Sequence, residues 1–246
     1  MRFNQHLPSI FTLINLFLGF IAIINIQQEN YFIACYILLA AGAFDSIDGK
    51  LARMLGIPTN FGREIDSLAD MVSFCLAPAL LVYGLYTQNM PGISGEIIAS
   101  SPLIMGAIRL ARFNTTEDQP TDSFIGLPTP INALAIASLV LFMEQIKLTN
   151  AEYSQPRILL PLILSLSFLM VCRVQYPKFP LLSFKAGKQN NYRLFGVIIF
   201  VICFSVAIMI GYPYRVLAFF IAYYILSGLV IYIINLGNIK TTIQES

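Results

Sequence analysis

A succession of apolar stretches decides what this chain can fold into. Residues 8–27, 31–55, 61–87, 95–113, 128–147, 157–174, 193–211 and 214–236 are each close to the ~20 residues with which an α-helix crosses a bilayer. The expectation is an all-α fold, a polytopic membrane helix bundle of about eight transmembrane helices, the second and third long enough to project beyond the hydrocarbon. Composition agrees: 57% of the 246 residues are hydrophobic, only 11% are charged, and the mean hydropathy is +0.73. An ordinary soluble domain carries about 25% charged residues. The net charge of +2 is too small to suggest nucleic acid as a partner. Tryptophan is absent, so anchoring at the membrane surface falls to the 12 tyrosines and to Lys and Arg. The first stretch lacks the small-residue end of a cleaved signal and is followed by further spans, so it reads as a retained helix.

Charge then orients the bundle. With the N-terminus on the cytoplasmic side, that side receives Arg2, Lys50, Arg53, Arg63, Arg109, Arg112, Arg173, Lys178, Lys185, Lys188, Arg193 and Lys240. The other side receives only Lys147, Arg157 and Arg215, a bias that satisfies the positive-inside rule. Both termini are therefore expected to face the cytoplasm, in the inner membrane. Cys35, Cys75, Cys172 and Cys203 sit singly in apolar runs, without the spacing of a zinc site or a disulfide. His6 is the only histidine, which excludes histidine triads and multi-histidine metal sites.

Against this background four carboxylates stand out. Asp45 and Asp48, then Asp66 and Asp70, lie between the apolar runs 31–44 and 71–85. Ionisable groups in such sequence are costly and mark ion, substrate or proton sites. On helices Asp45 and Asp48 are about 60° apart and Asp66 and Asp70 about 40° apart, so each pair shares a face. Gly56-Ile57-Pro58-Thr59-Asn60 reads as a turn between them. Counted from Pro58, Asp48 and Asp66 are roughly 12–15 Å along their helices, and Asp45 and Asp70 roughly 18–20 Å. An antiparallel pair thus sets Asp48 level with Asp66 and Asp45 level with Asp70. Four like charges at one height repel unless cations share the site. Oxygen-only donors suit Mg2+ or Mn2+, two ions in all. The alternative is that the acids cap helix ends or pair with Lys50, Arg53 and Arg63 at the interface.

Other spans carry polar residues aimed at the same end. Thr12 and Asn15 share roughly one face of the first span, where they reach a lipid head group or bond to neighbouring helices. Arg109 and Arg112 stand three apart and project from one face. A guanidinium fork suits phosphate or carboxylate, and snorkelling to the interface is the alternative use. Residues 115–123 form a polar loop before Phe124-Ile125-Gly126-Leu127-Pro128-Thr129-Pro130, which turns the chain back into a helix. The basic segment 173–193 suits contact with anionic lipid heads.

The order Asp-x-x-Asp-Gly-x-x-Ala-Arg, a spacer, then Gly-x-x-x-Asp-x-x-x-Asp resembles the signature of the CDP-alcohol phosphotransferases. Asp45, Asp48, Gly49, Ala52, Arg53, Gly62, Asp66 and Asp70 occupy its fixed positions. Residues 8–19, 61–74, 109–114 and 124–128 are similar to the bacterial and archaeal phosphatidylserine synthase branch; Ser9 departs from the asparagine common after the proline. The resemblance covers the first 130 residues well and the last 70 weakly. It implies the CDP-alcohol phosphotransferase fold as a single membrane domain over 1–246, with a catalytic core over about 1–175 and two additional spans over about 193–236. It implies transfer of the phosphatidyl group from CDP-diacylglycerol to the hydroxyl of L-serine, with release of CMP. By that pattern Asp45, Asp48 and Asp66 hold metal, while Asp70 contributes to the second metal and serves as base. Asp45, Gly49, Ala52 and Arg53, with Thr12 and Asn15, are the expected CDP-diacylglycerol contacts, and Arg109 and Arg112 those of the serine carboxylate or lipid phosphate. A homodimer among membrane lipids is the family expectation.

Two other readings compete. The same chemistry with glycerol 3-phosphate or an inositol phosphate would call for a denser basic pocket. A cation transporter would string ionisable residues through the membrane on broken helices, whereas these four acids sit on one adjacent pair.

Overall fold

The chain is described here from a computed structural model that covers residues 7–55, 60–115, 123–149, 159–177 and 188–244, with side chains over 10–46, 61–115, 124–146, 159–177 and 190–234. The described residues are helical apart from short connections and two three-residue strands. In order they form α1 (Leu7–Gln27), α2 (Tyr31–Leu55), α3 (Asn60–Asp70), α4 (Ala77–Val82), α5 (Ser94–Ala99), α6 (Ser101–Thr115), β1 (Ser123–Ile125), α7 (Thr129–Thr149), α8 (Leu159–Val171), β2 (Gln175–Pro177), α9 (Lys188–Ile210) and α10 (Pro213–Gln244).

Among the described residues, five helical segments are long and apolar enough to cross a membrane: Ile10–Gln27, Phe61–Thr87, Thr129–Ile146, Asn190–Ile210 and Pro213–Ile234. Tyr31–Ser46 and Leu159–Val171 are shorter apolar helices within two further expected spans. The remaining stretch, 95–113, is broken at Ser100 into α5 and α6. Pro102 explains the break, because it has no N–H to offer Ile98. The hydroxyl of Ser101 donates to the Ile98 carbonyl instead, at 2.8 Å.

Proline also shapes the third span. Asn60 to Thr87 is helical throughout, but π turns at Met71–Leu76 and Tyr83–Thr87 flank α4. Pro78 cannot bond back to Phe74, and the helix widens just ahead of it, where the Ala77 N–H reaches Val72, five residues back. The first π turn begins immediately after Asp70.

Contacts divide the chain into two compact units. The first comprises residues 1–119 and 128–172. In it α1 lies along α2, α3 and the first π turn, α2 packs on α7, and α6 packs on α8 and that π turn. Small residues allow these approaches, as is usual where lipid offers no hydrophobic drive between helices. A Cβ at Gly19 would collide with the hydroxyl of Ser73, which donates to the Asn15 carbonyl at 2.9 Å. One at Gly106 would collide with the Cys75 sulfur. Ala41, Phe74 and Ala133, all fully buried, join α2, the π turn and α7 in one core layer, against which Leu18 packs.

The second unit comprises residues 120–127 and 173–246. β1 and β2 pair antiparallel, Phe124 opposite Tyr176, a ribbon absent from the all-α expectation because three residues carry no periodicity. Tyr176 is fully buried against Gly228 of α10 and stacks on Tyr224, whose hydroxyl donates to the Pro177 carbonyl at 3.1 Å. α9 ends at Gly211, whose φ of +91° permits the turn into Pro213. Phe200 stacks on Phe220 across the two helices. Phe195, Ile199, Met209, Phe219 and Ile233 are exposed on their outer faces, as lipid-facing residues are.

Candidate active site

The acidic cluster is assembled by α2 and α3. Asp45, from α2, and Asp66 and Asp70, from α3, each offer a carboxylate oxygen, and these oxygens all lie within 4.8 Å of one another. Asp45 and Asp66 are half-buried, and Asp70 is only 8% exposed. The antiparallel level expected for Asp45 and Asp70 is thus present, and Asp66 joins it. Asp48 lies one turn after Asp45 on the same helix; its side chain, like those of Gly49, Ala52 and Arg53, lies outside the described residues, as do residues 56–59 of the turn. Three carboxylates at this separation are an arrangement that water alone does not stabilise well, and their oxygen donors fit a hard divalent cation.

The surroundings divide into a polar level and an apolar floor. Leu18, Ala41, Phe74 and Ala133 form the floor. They stand three or four residues from Asn15, Asp45, Asp70 and Thr129 respectively, so those four share the next level up, one helical turn away. Thr129, at the start of α7, donates its hydroxyl to Asp70 Oδ2 at 3.1 Å. Asp70 Oδ1 is buried without a hydrogen-bond partner among the described residues. Asn15 is 1% exposed, and neither atom of its carboxamide is bonded among the described residues. Thr12 is buried one turn before it on α1.

The two arginines of α6 have different surroundings. Arg109 is buried and close enough to Asp70 to interact with it electrostatically. Arg112 points toward α8, donating from Nη1 to the Val171 carbonyl at 3.0 Å and from Nη2 to Met170 at 3.3 Å. Those are C-terminal carbonyls, which a cation satisfies well.

Thr129 was not singled out in the sequence. Its signal was its place between Pro128 and Pro130, which fixes a helix entrance but does not say what the hydroxyl meets.

Residues 5–171 match the family model described as CDP-alcohol phosphatidyltransferase. The chain belongs to that family. The CDP-alcohol phosphatidyltransferase relatives include the CDP-diacylglycerol–serine O-phosphatidyltransferase of Helicobacter pylori, 33% identical over 91% of this chain and 89% of the relative. The enzyme of the same name from Bacillus subtilis is 31% identical over 71% of this chain and 92% of its own length. The archaetidylserine synthase of Methanothermobacter thermautotrophicus is 32% identical over 70% of each. The family match ends beside the boundary of the first compact unit, which carries Asp45, Asp66, Asp70, Arg109 and Thr129.

Proposed function

We propose that this protein is a CDP-diacylglycerol–serine O-phosphatidyltransferase. The convergence of Asp45, Asp66 and Asp70 in a chain of this family carries the reading. Serine as acceptor is supported by the names of relatives that match most of the chain.

The serine hydroxyl oxygen bonds to the phosphorus attached to diacylglycerol, the bond from that phosphorus to the CMP oxygen breaks, and CMP departs. Asp70 takes the hydroxyl proton at Oδ1, the oxygen that Thr129 leaves open. Thr129 holds the other oxygen and so fixes the carboxylate plane. Asp45 and Asp66, with Asp48 by its position on α2, would hold Mg2+ or Mn2+, and Asp70 would contribute to a second ion. The chemistry a bound divalent cation would supply there is neutralisation of charge on the pyrophosphate and on the departing CMP. Arg109 adds positive charge beside the cluster for the serine carboxylate or the lipid phosphate. Arg112, which also ties α6 to α8, shares that role, and Asp45, Gly49, Ala52, Arg53, Asn15 and Thr12 contact the nucleotide lipid. The floor of Leu18, Ala41, Phe74 and Ala133 excludes water from below.

The same reading makes residues 1–175 the catalytic core of a single membrane domain to which α9 and α10 add two spans. The distribution of Lys and Arg supports an inner-membrane protein with its termini and site facing the cytoplasm. A homodimer is the assembly proposed.

Purified protein supplied with CDP-diacylglycerol is expected to release CMP only when L-serine and Mg2+ or Mn2+ are both present, and to stop on addition of EDTA. Release with glycerol 3-phosphate or an inositol phosphate but not serine would keep the chemistry and change the acceptor. Cation flux without CMP release from any acceptor would favour the transporter.

A further inference from the structure

The last turn of α6 grips α3 away from the carboxylates. Asn114 donates from Nδ2 to Glu64 Oε2 at 3.2 Å and accepts at Oδ1 from the Ser67 hydroxyl at 3.1 Å. Glu64 and Ser67 are one turn apart, so a single carboxamide spans a turn of α3 with both its ends engaged. Asp66 lies between them in sequence but faces elsewhere. The midpoint of Asp66 and Asp70 is about 110° around the helix from that of Glu64 and Ser67. The grip therefore restrains α3 without entering the acidic cluster.

Rotation of α3 matters because Asp45 belongs to a different helix. A turn of about 10° at a side-chain radius of ~5–6 Å moves a carboxylate by about 1 Å. An error of that size in a catalytic constellation costs on the order of 100-fold in rate.

We propose that Asn114 is a positioning residue that fixes the rotation of α3, and so sets the spacing of Asp66 and Asp70 against Asp45 for binding a divalent cation. The inference rests on the phosphatidyltransferase reading of the cluster. Asn114→Asp keeps an acceptor for Ser67 but opposes one carboxylate to another at Glu64. Adding Glu64→Gln restores an N–H donor facing the new carboxylate. Asn114→Leu removes both bonds.

The test titrates Mn2+ into the full-length protein, following the electron paramagnetic resonance signal of the free ion, beside CMP release from CDP-diacylglycerol and L-serine. Asn114→Asp and Asn114→Leu are expected to weaken Mn2+ binding about 10-fold, as losses of outer-shell support do. The Glu64→Gln/Asn114→Asp pair is expected to regain near wild-type affinity, and KM for L-serine to stay unchanged throughout. Should Asn114→Leu fail to fold, the exchanged pair still decides. Wild-type Mn2+ affinity in every variant, or a loss that the pair does not recover, overturns the positioning role while wild-type turnover leaves the catalytic reading standing. A wild-type protein that neither binds Mn2+ nor releases CMP overturns both.

Discussion

Asp70 has one carboxylate oxygen held by Thr129 and the other buried without a hydrogen-bond partner among the described residues, and that second oxygen is the proposed base. Asp70→Asn keeps the shape and removes the proposed base. CMP release is expected to fall by at least about 100-fold, the usual range for losing a general base, while binding of CDP-diacylglycerol, measured by retention of labelled lipid, stays largely intact. Thr129→Val removes only the hydroxyl and leaves Asp70 Oδ2 without that donor. A hydrogen bond to a charged group contributes about 1.5–3 kcal/mol, so the rate is expected to fall about 10- to 100-fold. Thr129→Ser should restore most of it in the same assay. Asp70 is conspicuous in the sequence as a charge in an apolar run. Thr129 is not, because its partner lies 59 positions away.

At the scale of elements, glycines decide how closely the helices meet, and the two tight approaches differ in kind. At Gly106 the obstacle is the Cys75 side chain, whereas at Gly19 it includes the Ser73 Cα, which a new Cβ would approach to 2.8 Å. Overpacking costs about 1–3 kcal/mol. Gly106→Ala is therefore expected to lower the melting temperature in detergent, and Cys75→Ala in the same chain to restore it. Gly19→Ala should lower it too, but Ser73→Ala should not rescue it, because the backbone stays in the way. Equal rescue of both would contradict this difference. The π turn that follows Asp70 has its cause at Pro78, a residue visible in the sequence, yet the widening itself depends on where the freed carbonyls find donors.

For the whole molecule the testable property is orientation. Cys35 and Cys75 are buried, while Cys172 and Cys203 are exposed. Cys203 lies within the apolar span Asn190–Ile210, away from a water-borne reagent, and Cys172 lies just past the end of α8 beside Arg173. A membrane-impermeant maleimide is expected to label the protein in inverted vesicles but not in intact spheroplasts, and Cys172→Ser should abolish the labelling. Labelling from outside would reverse the proposed orientation. The outer faces of α9 and α10 give the second unit its membrane character, and the family match, which stops at residue 171, does not extend to them.

By itself the sequence determined the helices, the membrane as their solvent, the four acids and the family signature. Each of these is a matter of local pattern: run length, charge spacing and fixed residues within one stretch. Only the tertiary structure decided that Asp45, Asp66 and Asp70 converge, that Thr129 holds Asp70, that Arg112 caps α8 and that Asn114 bridges Glu64 and Ser67. The physical reason is that helical periodicity gives the direction of a side chain relative to its own helix. What that side chain meets depends on how closely neighbouring helices approach and how each is turned, and small residues far along the chain, such as Gly19 and Gly106, set that approach.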